Sequence, residues 1–124
     1  MFVITNGPNP FILELFGKQK LLKLKKKNKG NIMLSSAVDQ LIDDLINANW
    51  KNTEEIKRVR PDADCVHSDG FYFFNINVHR TMVMILFDEE EATIIWAGSH
   101  DEYETTFKNN KRTIEKWLRK QQLI

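Results

Sequence analysis

The chain has 124 residues, 42% of them hydrophobic and 28% charged, which is ordinary composition for one globular unit. No apolar run approaches membrane-spanning length, and the N-terminal MFVITNGPNPF lacks a basic segment followed by an apolar stretch and a small-residue cleavage site, so a cytoplasmic protein away from membranes is expected. The formal charge of +1 conceals a division: residues 1–60 carry 11 Lys/Arg against 6 Asp/Glu, and residues 61–124 carry 7 against 11. Such a dipolar chain can turn a basic face toward a polyanion.

In chain order, Phe2-Val3-Ile4-Thr5 is β-branched and closed by Asn6-Gly7-Pro8-Asn9-Pro10, which predicts a first strand and a turn. Pro10 suits the first position of a short helix lined by Phe11, Leu13, Leu15 and Phe16, running on toward Leu21, Leu22 and Leu24. The lysine-rich segment 18–29, with leucines interleaved, reads as a basic amphipathic helix for RNA or an acidic partner, or as a merely exposed face. Gly30-Asn31 breaks it. Ser35 or Ser36 then caps a helix whose Val38, Leu41, Ile42, Leu45 and Ile46 follow i, i+3, i+4, i+7, i+8. A short helical turn follows Trp50 and ends at Pro61.

Beyond Pro61 the period becomes two. Ala63 to His67, Phe71 to Ile76, Thr81 to Phe87 and Ala92 to Ala97 are β-prone runs joined by connections short enough to permit only antiparallel neighbours. The run from Met82 to Phe87 is apolar at every position, which predicts a central strand covered on both faces. From Ser99 onward the spacing of Tyr103, Phe107, Asn110, Ile114, Trp117 and Gln121 predicts one closing helix.

Ser99 with Glu102 three residues later is a capping box, and Asp101 adds favourable charge to the first turn. Helix chemistry therefore accounts for three residues of Ser99-His100-Asp101-Glu102 without catalysis. It does not account for His100, whose protonated form a positive helix end disfavours. The three histidines fall on different strands or turns and Cys65-x-His67 alone is not a zinc spacing, so no metal and no cofactor is expected. Asp88 to Glu91 reads as a solvated hairpin end, and five scattered glycines form no phosphate loop.

The ordered set Trp50-Lys51-Asn52 with Glu54 or Glu55, Ala63-Asp64, Phe74-Asn75-Ile76, an apolar strand and Gly98-Ser99-His100-Asp101-Glu102-Tyr103 resembles the HigB toxins of the RelE-like superfamily. The resemblance is strongest over residues 37–104 and weakest over 1–30, within a single domain spanning 1–124. It implies a RelE-like α+β fold with N-terminal helices packed on a curved antiparallel sheet and a C-terminal helix. It also implies metal-free cleavage of messenger RNA on the ribosome, and a helix-turn-helix, HigA-like antitoxin as partner. His100 matches the family histidine as general acid or base, Tyr103 the motif tyrosine, and Glu104 replaces the final aspartate. Tyr103 fits the first core-facing position of the closing helix better than it fits a phosphate or base contact.

Where the family carries an arginine, a lysine and another arginine on its strands, ungapped alignment puts Met82, Leu86 and Ile95. Arg80 shares a strand face with Met82 and is the candidate replacement cation. Lys51, Lys57, Arg58 and Arg60 are candidate RNA contacts, against a solvated basic face. The missing charges leave two further possibilities: a protein of this fold that only binds an antitoxin, a ribosome or another macromolecule through a concave face turned apolar, and a plain RNA-binding module.

Overall fold

The computed structural model describes residues 13–124, so the expected strand at Phe2–Thr5 lies outside the described residues. Strand β1 (Glu14–Phe16) leads through Gly17 into helix α1 (Lys18–Lys27), followed by α2 (Ile32–Ile46) and α3 (Thr53–Val59). Strands β2 (Asp64–His67), β3 (Phe71–Ile76), β4 (His79–Leu86) and β5 (Glu91–Ser99) precede helices α4 (His100–Phe107) and α5 (Lys111–Lys120). The sheet order is β1-β5-β4-β3-β2; β2 to β5 form the expected antiparallel meander, and β1 adds to its edge parallel to β5. The sheet is therefore mixed rather than antiparallel throughout.

Within the described residues, that parallel edge strand stands where Leu13, Leu15 and Phe16 were expected to line a helix; the helix start expected at Pro10 and Phe11 lies outside them. Leu13 is buried and Leu15 half-buried while Glu14 and Phe16 are exposed, a period of two that suits an edge strand. Gly17 makes the turn: its φ is 75°, and a Cβ there would stand 2.7 Å from the Ile94 carbonyl oxygen. Helix α2 buries Leu34, Val38, Leu41 and Leu45 as its spacing predicts, but Asn31, not Ser35 or Ser36, caps it by accepting from the Leu34 amide at 3.1 Å. The serines lie inside the helix because the chain enters it directly after Gly30, and Asn31 reaches the orphan amides first.

Alternating side chains divide between two cores. Tyr72, Phe74, Val83, Ile85 and Ile94 face α1, α2 and α3, whereas Phe71, Phe73 and Met82 face α4 and α5. Strand β4 is the middle strand and has apolar cover on both faces, as expected. The closing helix is two helices. Lys108 and Asn109 adopt left-handed φ of 54° and 47°, and Asn110 caps α5 by accepting from the Thr113 amide at 3.0 Å. The bend folds α5 back so that Ile114 and Leu118 join Tyr103 and Phe107 over the sheet. Phe107 stands at the centre of this layer, with ring centroids of Phe73, Trp96 and Trp117 at 5.2, 5.0 and 5.1 Å.

This second core decides the fate of the family's charged positions. Met82 is fully buried in it, and Ile95 packs against it from a bulge in β5, where the register passes from Met82↔Trp96 to Val83↔Ile94. Leu86 lies at the far end of β4 and lines a different cavity. The apolar substitutions do not make an exposed concave face greasy; Met82 and Ile95 form the floor beneath α4 and α5.

Candidate active site

The β3–β4 hairpin and the start of α4 meet at one end of the sheet. Its two-residue connection, Asn77-Val78, closes because Asn77 takes a left-handed φ of 62°, which asparagine tolerates. Strand β5 ends by pairing Gly98 with Arg80 and Ser99 with His79, and the chain then turns directly into α4. Gly98 is needed for that approach, since a Cβ would come within 2.7 Å of the Trp96 ring.

The capping box forms as the sequence predicts. The Ser99 hydroxyl accepts from the Glu102 amide at 3.1 Å, and the Glu102 carboxylate accepts from the Ser99 amide at 2.8 Å. That backbone bond, aided by the hydroxyl and by Lys27 and His79 nearby, holds the Glu102 carboxyl below its ordinary range against a small desolvation cost. A depressed native pKa contributes stability at pH values above the unfolded glutamate value and loses it as acid titrates the native group. Ser99→Ala should therefore cost about 1 kcal/mol in urea unfolding at neutral pH. Glu102→Gln should make stability less sensitive to pH below the ordinary glutamate range, and an unchanged acid limb would refute the assignment.

His100 is the first residue of α4, and its side chain is 59% exposed. Together with Arg80, His79, Asn75 and Asn77 it lines an open groove of ≈ 320 Å³. Its Nε2 lies 3.9 Å from Glu104 Oε1 one helical turn on. Its ring stacks on Tyr103 with centroids 6.3 Å apart. Tyr103 itself is 1% exposed, and its hydroxyl donates to Asn109 Oδ1 at 2.9 Å. Burial pushes the phenol above its ordinary range despite the opposing pull of Arg80, so it stays neutral at physiological pH. The Arg80 guanidinium lies 4.4 Å from the Tyr103 ring centroid, a cation–π platform that fixes the cation beside the groove. Tyr103 thus supports His100 and Arg80 from beneath instead of reaching the groove with its hydroxyl.

The other basic residues separate. Lys51 lies at the opposite end of the strands, in a cavity of ≈ 550 Å³ with His67, Asp69 and Asp88. Lys57 is exposed on α3, and Arg58 lines a shallow cavity between α2 and α3. None of the three lines the His100 groove. Arg60 is set apart from the other three, because its side chain is only 12% exposed and already engaged. It pairs with Asp44 at 3.2 Å and Asp62 at 2.8 Å, donates to the Asn75 carbonyl at 2.8 Å, and lies over Phe74. Asp62 in turn accepts from the Asn75 amide at 2.8 Å, so Arg60 and Asp62 together clamp the residue that forms one wall of the groove.

His79 is the groove residue that motif reading passed over. It is 8% exposed, and its Nδ1 is buried with no partner among the described residues. Nothing local in the sequence marks it; it reaches the groove because its strand pairs with Ser99. His67 lies in the distant cavity, its Nδ1 accepting from the Asp69 amide at 3.0 Å. Among the described residues no three His, Cys, Asp or Glu side chains group as metal ligands, and no helix is long and apolar enough to cross a membrane.

A family model described as a HigB toxin, the RelE-like toxic component of a toxin–antitoxin system, matches residues 34–106, from within α2 to the last turn of α4. No curated protein matches the chain. The matched stretch contains His100, Tyr103, Arg80 and the whole meander, while α1 and α5 lie outside it.

Proposed function

Because the chain belongs to the HigB toxin family, RelE-like toxic components of toxin–antitoxin systems, we propose that it is an endoribonuclease acting on messenger RNA at the ribosome. Its α+β architecture is of the RelE-like kind in this reading. Membership in a toxin–antitoxin family implies an antitoxin partner, and a HigA-like helix-turn-helix protein is the one we propose. The observation that carries the catalytic reading is the placement of an exposed imidazole, His100, and a fixed guanidinium, Arg80, in one open groove.

In this reaction the RNA supplies its own nucleophile. The 2′-oxygen bonds to the adjacent phosphorus as the bond from phosphorus to the 5′-oxygen breaks, leaving a 2′,3′-cyclic phosphate and a 5′-hydroxyl. One proton leaves the 2′-hydroxyl and one arrives on the 5′-oxygen. Histidine suits either transfer, because its free pKa of about 6.5 keeps both forms accessible at neutral pH. Arg80 offsets charge gathering on the phosphorane. No step calls for a metal.

The test is to incubate the protein with translating ribosomes and map new 5′ ends on the message. Ends that appear with wild type and vanish with His100→Ala support the reading; identical maps sink it. A second reading, a protein of this fold that only binds its antitoxin or the ribosome, is favoured by one observation. Arg80 is the sole Lys or Arg lining the groove among the described residues, since Met82 and Ile95 are committed to the core. Stable partner capture without any cleavage would select it.

A further inference from the structure

The cations absent from the sheet face are matched by a row on α1, which packs against β5. Six of the ten residues of α1 are lysine, and three of them, Lys20, Lys23 and Lys27, line one furrow of ≈ 180 Å³ with Leu24, Ala97 and Glu102. Their spacing of i, i+3 and i+7 places them in a row along one helix face, about 10 Å long at 1.5 Å per residue. All three are exposed. Among the described residues Lys25 is the α1 lysine held in an ion pair, at 2.6 Å from Asp39; Lys20, Lys23 and Lys27 have no carboxylate within pairing distance. Lys27 shares the furrow with Glu102, whose carboxylate caps the helix that His100 starts.

We propose that Lys20, Lys23 and Lys27 form a phosphate track that leads a single RNA strand across the start of α4 into the groove of His100 and Arg80. The proposal rests on the nuclease reading for the strand's destination, and it makes α1 the replacement for the charges lost at Met82 and Ile95. The track lies outside the stretch that the family model matches. A row of ammonium groups on flexible stems fits a phosphodiester backbone, which carries repeating charge and needs no shaped pocket. An acidic protein partner would need buried aromatic or apolar anchors, and the furrow offers only Leu24, itself 8% exposed, and the half-buried Ala97.

The experiment measures anisotropy of a fluorescent 2′-O-methyl oligoribonucleotide, which can bind but cannot be cut, against the full-length protein over a salt series. The triple variant Lys20→Gln, Lys23→Gln, Lys27→Gln should lower the slope of log affinity against log salt by about 2, at roughly 0.7 per lost contact to a single strand. The matching triple on α5, Lys111→Gln, Lys116→Gln, Lys120→Gln, should leave the slope unchanged, and arginine at the three α1 positions should restore it. Circular dichroism checks the fold; if the triple melts early, Lys23→Gln alone should still lower the slope by about 0.7. The track is overturned if the α1 triple binds RNA as wild type does, if wild type fails to bind the oligonucleotide, or if the triple loses antitoxin binding while keeping RNA. The two proposals fail separately. Cleavage by His100→Ala at the wild-type rate sinks the nuclease mechanism, whereas unaltered RNA binding by the α1 triple sinks the track alone.

Discussion

His100→Ala should lower the rate of message scission on translating ribosomes by about 10²–10⁴, the usual range for removing a positioned proton carrier. The same substitution should leave unfolding free energy within about 0.5 kcal/mol of wild type, as for an exposed site away from packing features. His100 is mostly solvent-facing and begins a helix whose cap is supplied by Ser99 and Glu102, so alanine removes only an exposed contact with Glu104 and the ring stacked on Tyr103. The pairing of a large kinetic loss with unchanged stability distinguishes a chemical role from a folding role. Single-turnover primer extension on stalled ribosomes gives the rate and urea melts give the stability. A rate within about twofold of wild type would remove His100 from the mechanism.

Arg60→Ala should destabilise the protein by about 3 kcal/mol, at the low end for breaking a buried ion pair because Asp44 and Asp62 keep some solvent contact. Truncation leaves two partly buried carboxylates without their shared cation and the Asn75 carbonyl without its donor. Arg60→Lys should recover only part of the loss, because an ammonium cannot reproduce the fork that meets Asp44 on one nitrogen and Asp62 with Asn75 on the other. Since Asn75 forms a wall of the His100 groove, scission should also slow in Arg60→Ala at temperatures where the protein is still folded. A melt within about 0.5 kcal/mol of wild type would show that the clamp is not the support described above.

Much of the architecture was legible in local pattern. The i, i+3, i+7 spacing of Val38, Leu41 and Leu45 marked α2, and short β-prone runs between turn residues marked β3 and β4. Ser99 with Glu102 marked the start of α4 to the residue. Strand β1 was missed because three residues carry too short a period to outweigh the leucines after them, and its partner β5 is distant in the chain. The break between α4 and α5 was missed because the apolar stripe continues through it; Asn109 and Asn110 were the available signal, one for a left-handed turn and one for a cap.

The candidate site divides along the same line. The capping box placed His100 at a helix start, because capping is a property of neighbours along the chain, and the resemblance to the HigB toxins singled out the motif histidine and tyrosine and the three missing charges. Which cations remain free was decided only by tertiary structure. Arg60 looks like any other base in a basic stretch until Asp44 and Asp62 close around it, and Met82 looks like an exposed loss until α4 and α5 cover it. Burial and charge pairing depend on residues far apart in sequence, and no local period records them.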